Sequence, residues 1–142
     1  MASERVVDTL NNLLAAEYAS ILPRLRQSDP FVSLSAAADR TEAQGLMQDN
    51  QRHEGELSNL IMDLRGAPVP PAYDIDTTGY HYVTLEYLVP QIIQSVQSLI
   101  ASYTSAGSTG HAKADALISR NLDDYQRRLK SLEKMHSNLV SH

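Results

Sequence analysis

The chain has no cysteine, which excludes disulfides, thiolate metal sites and cysteine nucleophiles and leaves histidine and carboxylates as its available metal ligands. It also lacks concentrated positive charge. With 12 Lys and Arg against 17 Asp and Glu, the net charge is -5, and no basic stripe or patch suits a nucleic-acid backbone or a lipid surface. Nucleic acid and membrane are therefore not expected partners. Long apolar runs are missing too. Even Tyr82 to Ile100 is interrupted by Glu86, Gln91, Gln94, Gln97 and Ser98, short of the roughly 18 apolar residues that a span needs. The opening residues have no apolar stretch of the secretory kind, so the cytoplasm is the expected location. Gly and Pro number only six each, which excludes low-complexity and fibrous classes. There is no internal repeat, Gly-rich phosphate loop, serine-nucleophile motif or paired-carboxylate hydrolase signature.

What is present is helical periodicity. At 142 residues the chain fits one domain, 1–142, with one continuous core. Val6, Leu10, Leu13, Leu14, Tyr18, Ile21, Leu22 and Leu25 share one helix face, which predicts a first helix over about 3–27 with Ser3 as its N-cap. After Ser28-Asp29-Pro30, the row Leu34, Ala38, Leu46, Met47, Leu57, Leu60, Ile61 and Leu64 predicts a second helix over about 31–65, with Gly66 as its C-cap. The Pro-rich stretch 66–81 is too long for a tight helical hairpin and is expected to be a crossover running the length of the molecule. A third helix is expected over about 82–106, either kinked at Pro90 or starting near it, and a fourth over about 111–140. Four helices with one long middle connection make an all-α, up-down-down-up bundle.

Some core positions are polar. Glu17 stands in the apolar row Leu10, Leu14, Ile21, while Asn50 and His53 stand in the row Met47, Leu57, Ile61. A buried carboxylate needs a partner, and the choice is a hydrogen-bonded cluster with His53 or a metal ion.

The stretches Leu10-Asn-Asn-Leu-Leu-Ala-Ala-Glu17-Tyr and Asn50-Gln-Arg-His53-Glu-Gly-Glu-Leu resemble the first two helices of the bacterioferritin and rubrerythrin branch of the ferritin-like superfamily. The resemblance covers about residues 6–70. It implies a four-helix bundle in which the first and third helices each give a Glu and the second and fourth each give Glu-x-x-His, together holding two irons. Glu17 and His53 match that pattern, and Asn50 stands where it has a Glu. On the fourth helix the apolar row puts Leu122 and Tyr125 at the second pair, and a one-residue shift puts Asp123 and Gln126 there. On the third helix the expected Glu falls near Val89 and Pro90, one turn after Glu86. Glu133-Lys-Met-His136 has the right spacing, but His136 lies about 21 Å along the helix from Leu122, near the bundle end.

With so few ligands, the expected state is a cofactor-free polar cluster of Glu17, Asn50, His53 and Tyr125 in a protein that acts by binding or assembly. The alternative is an iron or manganese redox centre, of ferroxidase or peroxide-handling type, held by Glu17 and His53 with Asn50, Glu86 or Asp123. Enzymatic activity is left open. From Val83 to Thr109 the single charge is Glu86, and the outward residues of the third helix include Gln91, Gln94, Ser95, Ser98 and Ser102. Depletion of charge is typical of interface cores, so that helix is the expected homodimer surface. Tyr73, Tyr80, Tyr82 and Tyr87 cluster around the crossover and suggest either packing on a bundle end or an aromatic-lined pocket.

Overall fold

The computed structural model describes residues 2–28, 37–71 and 85–140. They form an all-α bundle, with no strand among the described residues. Its helices are α1 (Ala2–Ala19), α2 (Leu22–Ser28), α3 (Ala37–Asp63), α4 (Leu85–Ala106) and α5 (Ala112–Val140). Residues 29–36 and 72–84, which include most of the expected crossover and Tyr73, Tyr80 and Tyr82, lie outside the described residues.

The first predicted helix is two. Pro23 has no amide hydrogen to give the carbonyl of Ala19, and its ring disfavours continuation, so the ladder breaks at Ser20 and Ile21. Side chains take over the freed groups. The Ser20 hydroxyl donates to the Glu17 carbonyl at 2.8 Å, and the Ile21 amide donates to Ser95 Oγ on α4 at 3.1 Å. The ladder restarts where the Leu25 amide donates to the Ile21 carbonyl, which leaves Pro23 in the first turn of α2, where it is tolerated. By contrast, α4 runs through Pro90. There proline removes one ladder bond near the helix start.

The end of α3 also differs from expectation. The Gly66 amide donates to the Ile61 carbonyl and the Arg65 amide to that of Met62, so the left-handed residue is Arg65, at φ 63°, and not Gly66. Gly66 is required for another reason. A Cβ there would lie 2.6 Å from Val7 Cγ1 and 3.1 Å from Ile61 Cγ2, so the absent side chain is what lets α1 close against the end of α3. Gly66→Ala is expected to destabilise the fold by about 1–3 kcal/mol through overpacking. Arg65→Gly is expected to stabilise it by up to about 1 kcal/mol by relieving the left-handed residue. Urea unfolding of the two variants checks both signs, and equal midpoints would remove the assignment.

Packing joins α1 to α3 and α4, and α5 to the same two helices. Each pair is antiparallel. Val7 meets Gly66 while Glu17 meets Asn50. Leu13 lies with Ser105 while Ile21 lies with Ser95, and Asp49 meets Arg128 while Glu56 meets Arg120. The core is aliphatic at both ends, with Val6, Leu10, Leu57 and Ile61 at one and Leu22, Leu25, Leu88 and Ile92 at the other, all buried. Each such side chain contributes about 1.5–3 kcal/mol by leaving water. Among the described residues no helix is long and apolar enough to cross a membrane.

Candidate functional site

Between the two aliphatic layers the core is polar. Glu17 of α1 is fully buried, and each of its carboxylate oxygens accepts two hydrogen bonds. Asn50 Nδ2, at 2.7 Å, and the Tyr125 hydroxyl donate to Oε1. The Tyr103 hydroxyl, at 2.6 Å, and His53 Nδ1, at 3.2 Å, engage Oε2. Four donors from three other helices therefore saturate one carboxylate, which is what a buried anion requires. The bonds to it are charge-assisted and among the stronger ones available.

His53 stands between two carboxylates. Its Nε2 lies 3.0 Å from Asp124 Oδ2 on α5. A neutral imidazole has one N–H and would turn a lone pair toward one of these anions, so both contacts are made only by the imidazolium. Burial opposes that charge, but the hydrogen bonds and charges of Glu17 and Asp124 outweigh it and raise the His53 pKa above its ordinary 6.5. Asp124 is held in turn from outside by Arg52 Nη2 and Arg127 Nη2, each at 2.5 Å. Burial would push its carboxyl up, but His53, Arg52 and Arg127 hold it below the usual value. The two phenols go the other way: burial and the neighbouring Glu17 charge push Tyr103 and Tyr125 well above 10, so both are neutral donors. Their rings enclose the imidazole, Tyr125 edge-on with centroids 4.7 Å apart and Tyr103 at 6.4 Å.

The order of donors fixes the orientation of the amides. Tyr103 spends its proton on Glu17 and so accepts from Asn121 Nδ2 at 3.1 Å. Asn50 must likewise turn its NH2 toward the carboxylate. Both assignments leave the Oδ1 atoms of Asn50 and Asn121 buried without a hydrogen-bond partner. Such atoms cost about 1–3 kcal/mol each.

Toward the surface the cluster continues as an ion-pair net between α3 and α5. Arg52 reaches Asp49, Glu56 and Asp124, and Arg128 bridges Asp49 at 2.8 Å and Glu42 at 2.7 Å. Arg128 crosses α3 at Gly45, where a Cβ would sit 2.5 Å from its guanidinium. Arg26 of α2 pairs with the buried Glu54 at 3.0 Å.

Of the residues singled out in the sequence, Glu17, Asn50, His53 and Tyr125 meet in this cluster. Asp123 does not: it is exposed and faces Arg127, and the carboxylate that α5 brings inward is its neighbour Asp124. The residue that α4 brings is Tyr103, which lies about 25 Å along the helix from Glu86 at ~1.5 Å per residue. The Glu86 side chain lies outside the described residues. His136 is half-buried beside an exposed Glu133, and the buried residues at that level are Leu132 and Met135. Tyr103, Asn121 and Asp124 had a signal in the row Asn121, Asp124, Arg128, a polar i, i+3, i+7 stripe, and in the need of a core tyrosine for a hydroxyl partner.

Among the described residues no three His, Asp or Glu side chains group as metal ligands. No family model, curated protein or solved structure matches the chain. The site is a buried, ion-paired polar core in an all-α bundle.

Proposed function

We propose that this chain is a ferritin-like bundle whose central site is filled by its own hydrogen-bond donors in place of metal ions, and that it acts by binding or assembly rather than by redox catalysis. The observation that carries the reading is the saturated Glu17 carboxylate next to a histidine with both ring nitrogens on carboxylates. The antiparallel pairings of α1 and α5 with α3 and α4 support the up-down-down-up order with its long α3-to-α4 crossover. The placement of inward groups supports it further. Tyr125 of α5 apart, one comes from α1 (Glu17), one from α4 (Tyr103), and an i, i+3 pair from each of α3 (Asn50, His53) and α5 (Asn121, Asp124). That is the helix-by-helix distribution of the dinuclear carboxylate set in such bundles, with amides and a phenol standing where bridging carboxylates would be.

This donor set does not fit two metal ions. Neutral Asn50, Tyr103 and Asn121 supply no negative charge, and an ion on Glu17 would have to displace a phenol or the His53 N–H. The donors do for Glu17 what a cation would do. The competing reading, an iron or manganese redox site on Glu17 and His53, makes a different forecast for metal content. Protein purified from cells supplemented with iron and manganese is expected to carry far less than one metal per chain, and Glu17→Gln/His53→Gln to carry no less. Near-stoichiometric metal that vanishes in the double variant would sink the proposal. The assembly half of the reading places a second copy on the uncharged face of α4.

A further inference from the structure

The outward row of α4 is Tyr87, Gln91, Gln94, Ser98, Ala101 and Ser105, spaced four and three residues alternately over about 27 Å. That is the seam spacing of two helices packed side by side. The row is sorted by size. Its first three residues are large and its last three small, and Tyr87 at the large end is 64% exposed, a conspicuous apolar surface in a chain that buries its other described tyrosines. A parallel copy would set Tyr87 against Tyr87 and Ser105 against Ser105. An antiparallel copy, with the two-fold axis at the level of Val96, sets Tyr87 opposite Ser105, Gln91 opposite Ala101 and Gln94 opposite Ser98.

The surface beside the row has matching relief. A hollow of about 320 Å³ between α1 and α4, lined by Thr9, Asn12, Leu13, Ser102, Ser105 and Ala106, opens where the antiparallel copy would bring Tyr87. A larger one of about 470 Å³ follows along the same two helices past Ser98 and Ser95. Among the described residues, Arg24, at its α2 end, is the one charged residue lining either hollow. Elsewhere the bundle is laced with charge, as on the α3/α5 face. A chain of net charge -5 repels its own copies, and among the described residues this face offers a copy an approach with little charge to bury.

We infer that the chain forms a two-fold dimer through antiparallel α4 helices, with Tyr87 of each protomer seated in the Ser105 hollow of its partner. This rests on the assembly reading above and gives it a geometry. Such an interface is isologous, each contact occurring twice, and its two tyrosine anchors are of the residue type that dominates interface energetics.

The absence of native cysteine makes the test clean. Tyr87→Cys and Ser105→Cys chains are oxidised separately and as a mixture that has been unfolded and refolded together, while light scattering gives the mass of the wild type. The expected result is a mass twice the 15.7 kDa chain and a disulfide-linked dimer that forms in the mixture and not in either variant alone. Ser98→Glu, which buries two like charges near the axis, is expected to yield a folded monomer with an unchanged helical spectrum. A wild-type dimer whose variants each crosslink to themselves, or whose mass survives Ser98→Glu, overturns the antiparallel geometry and leaves assembly standing. A monomeric wild type at 100 μM overturns both.

Discussion

Glu17→Ala is expected to lower the unfolding free energy by about 3–5 kcal/mol, the loss typical of removing one partner from a buried ionic network. Against a total of roughly 5–15 kcal/mol for a domain of this kind, that is a large share of the stability. The cause is what stays behind. Asn50, Tyr103, Tyr125 and His53 keep four donors pointed at an empty volume, and the His53 charge loses one of its two compensating carboxylates. Glu17→Gln should fall between, since an amide keeps one acceptor and turns an NH2 into donors that cannot yield. Chemical denaturation followed by far-ultraviolet circular dichroism reads both. A shift below about 1 kcal/mol for the alanine variant would mean that the four donors find other partners and that the carboxylate does not organise the core. Replacing the whole cluster by aliphatic residues of similar volume is a different experiment, and there the expected change is near zero or stabilising.

Stability should also fall as pH rises above 6.5, through His53. Its folded pKa is raised above the unfolded 6.5, so the folded state holds a proton that the unfolded state releases first. The stabilisation is complete below 6.5 and is lost as pH rises through the folded value, at up to about 1.4 kcal/mol per pH unit. Asp124 sets the acid limit. Its folded pKa is depressed below 3.8, so its contribution is complete above that value and is lost as pH falls through the folded one. Between 3.8 and 6.5 both contributions are whole. Midpoints measured from pH 5 to pH 9 should decline for the wild type and run nearly flat for His53→Gln, whose slope, not its absolute stability, carries the answer. Tyr103 and Tyr125 do not confuse the comparison, because they differ from unfolded phenols only beyond pH 10. Parallel slopes in the two proteins would mean that His53 is neutral in the fold.

Half of this site was legible because polarity interrupted an apolar row. Glu17 and the pair Asn50 and His53 each sit where the 3.6-residue period calls for Leu or Ile, and burial follows from the row itself. Tyr103 is hidden by its own apolarity: an aromatic residue on an apolar helix raises no question about its hydroxyl. On α5 the row through Leu122, Tyr125 and Leu129 looked sufficient, yet Leu122 and Leu129 are half-buried and Asn121 and Asp124 lie deeper. A polar residue wins an inner position only if its partner is already there, and the partners came from other helices. Periodicity on one helix carries no information about that. The division of the first helix was missed for a different reason. The apolar face continues unbroken through Ile21, Leu22 and Leu25, because burial depends on side chains, while Pro23 acts on the backbone.

That joint at Ser20 and Ile21 has a consequence for how the molecule comes apart. Glu17 lies before it, and α2 after it is held to the rest by Leu22, Leu25 and the Arg26–Glu54 pair. Since no main-chain ladder runs unbroken from α1 into α2, the seven residues of α2 can fray without pulling on the carboxylate that organises the centre. The bundle thus carries a short helix of about two turns that can detach, set off from its keystone by one proline.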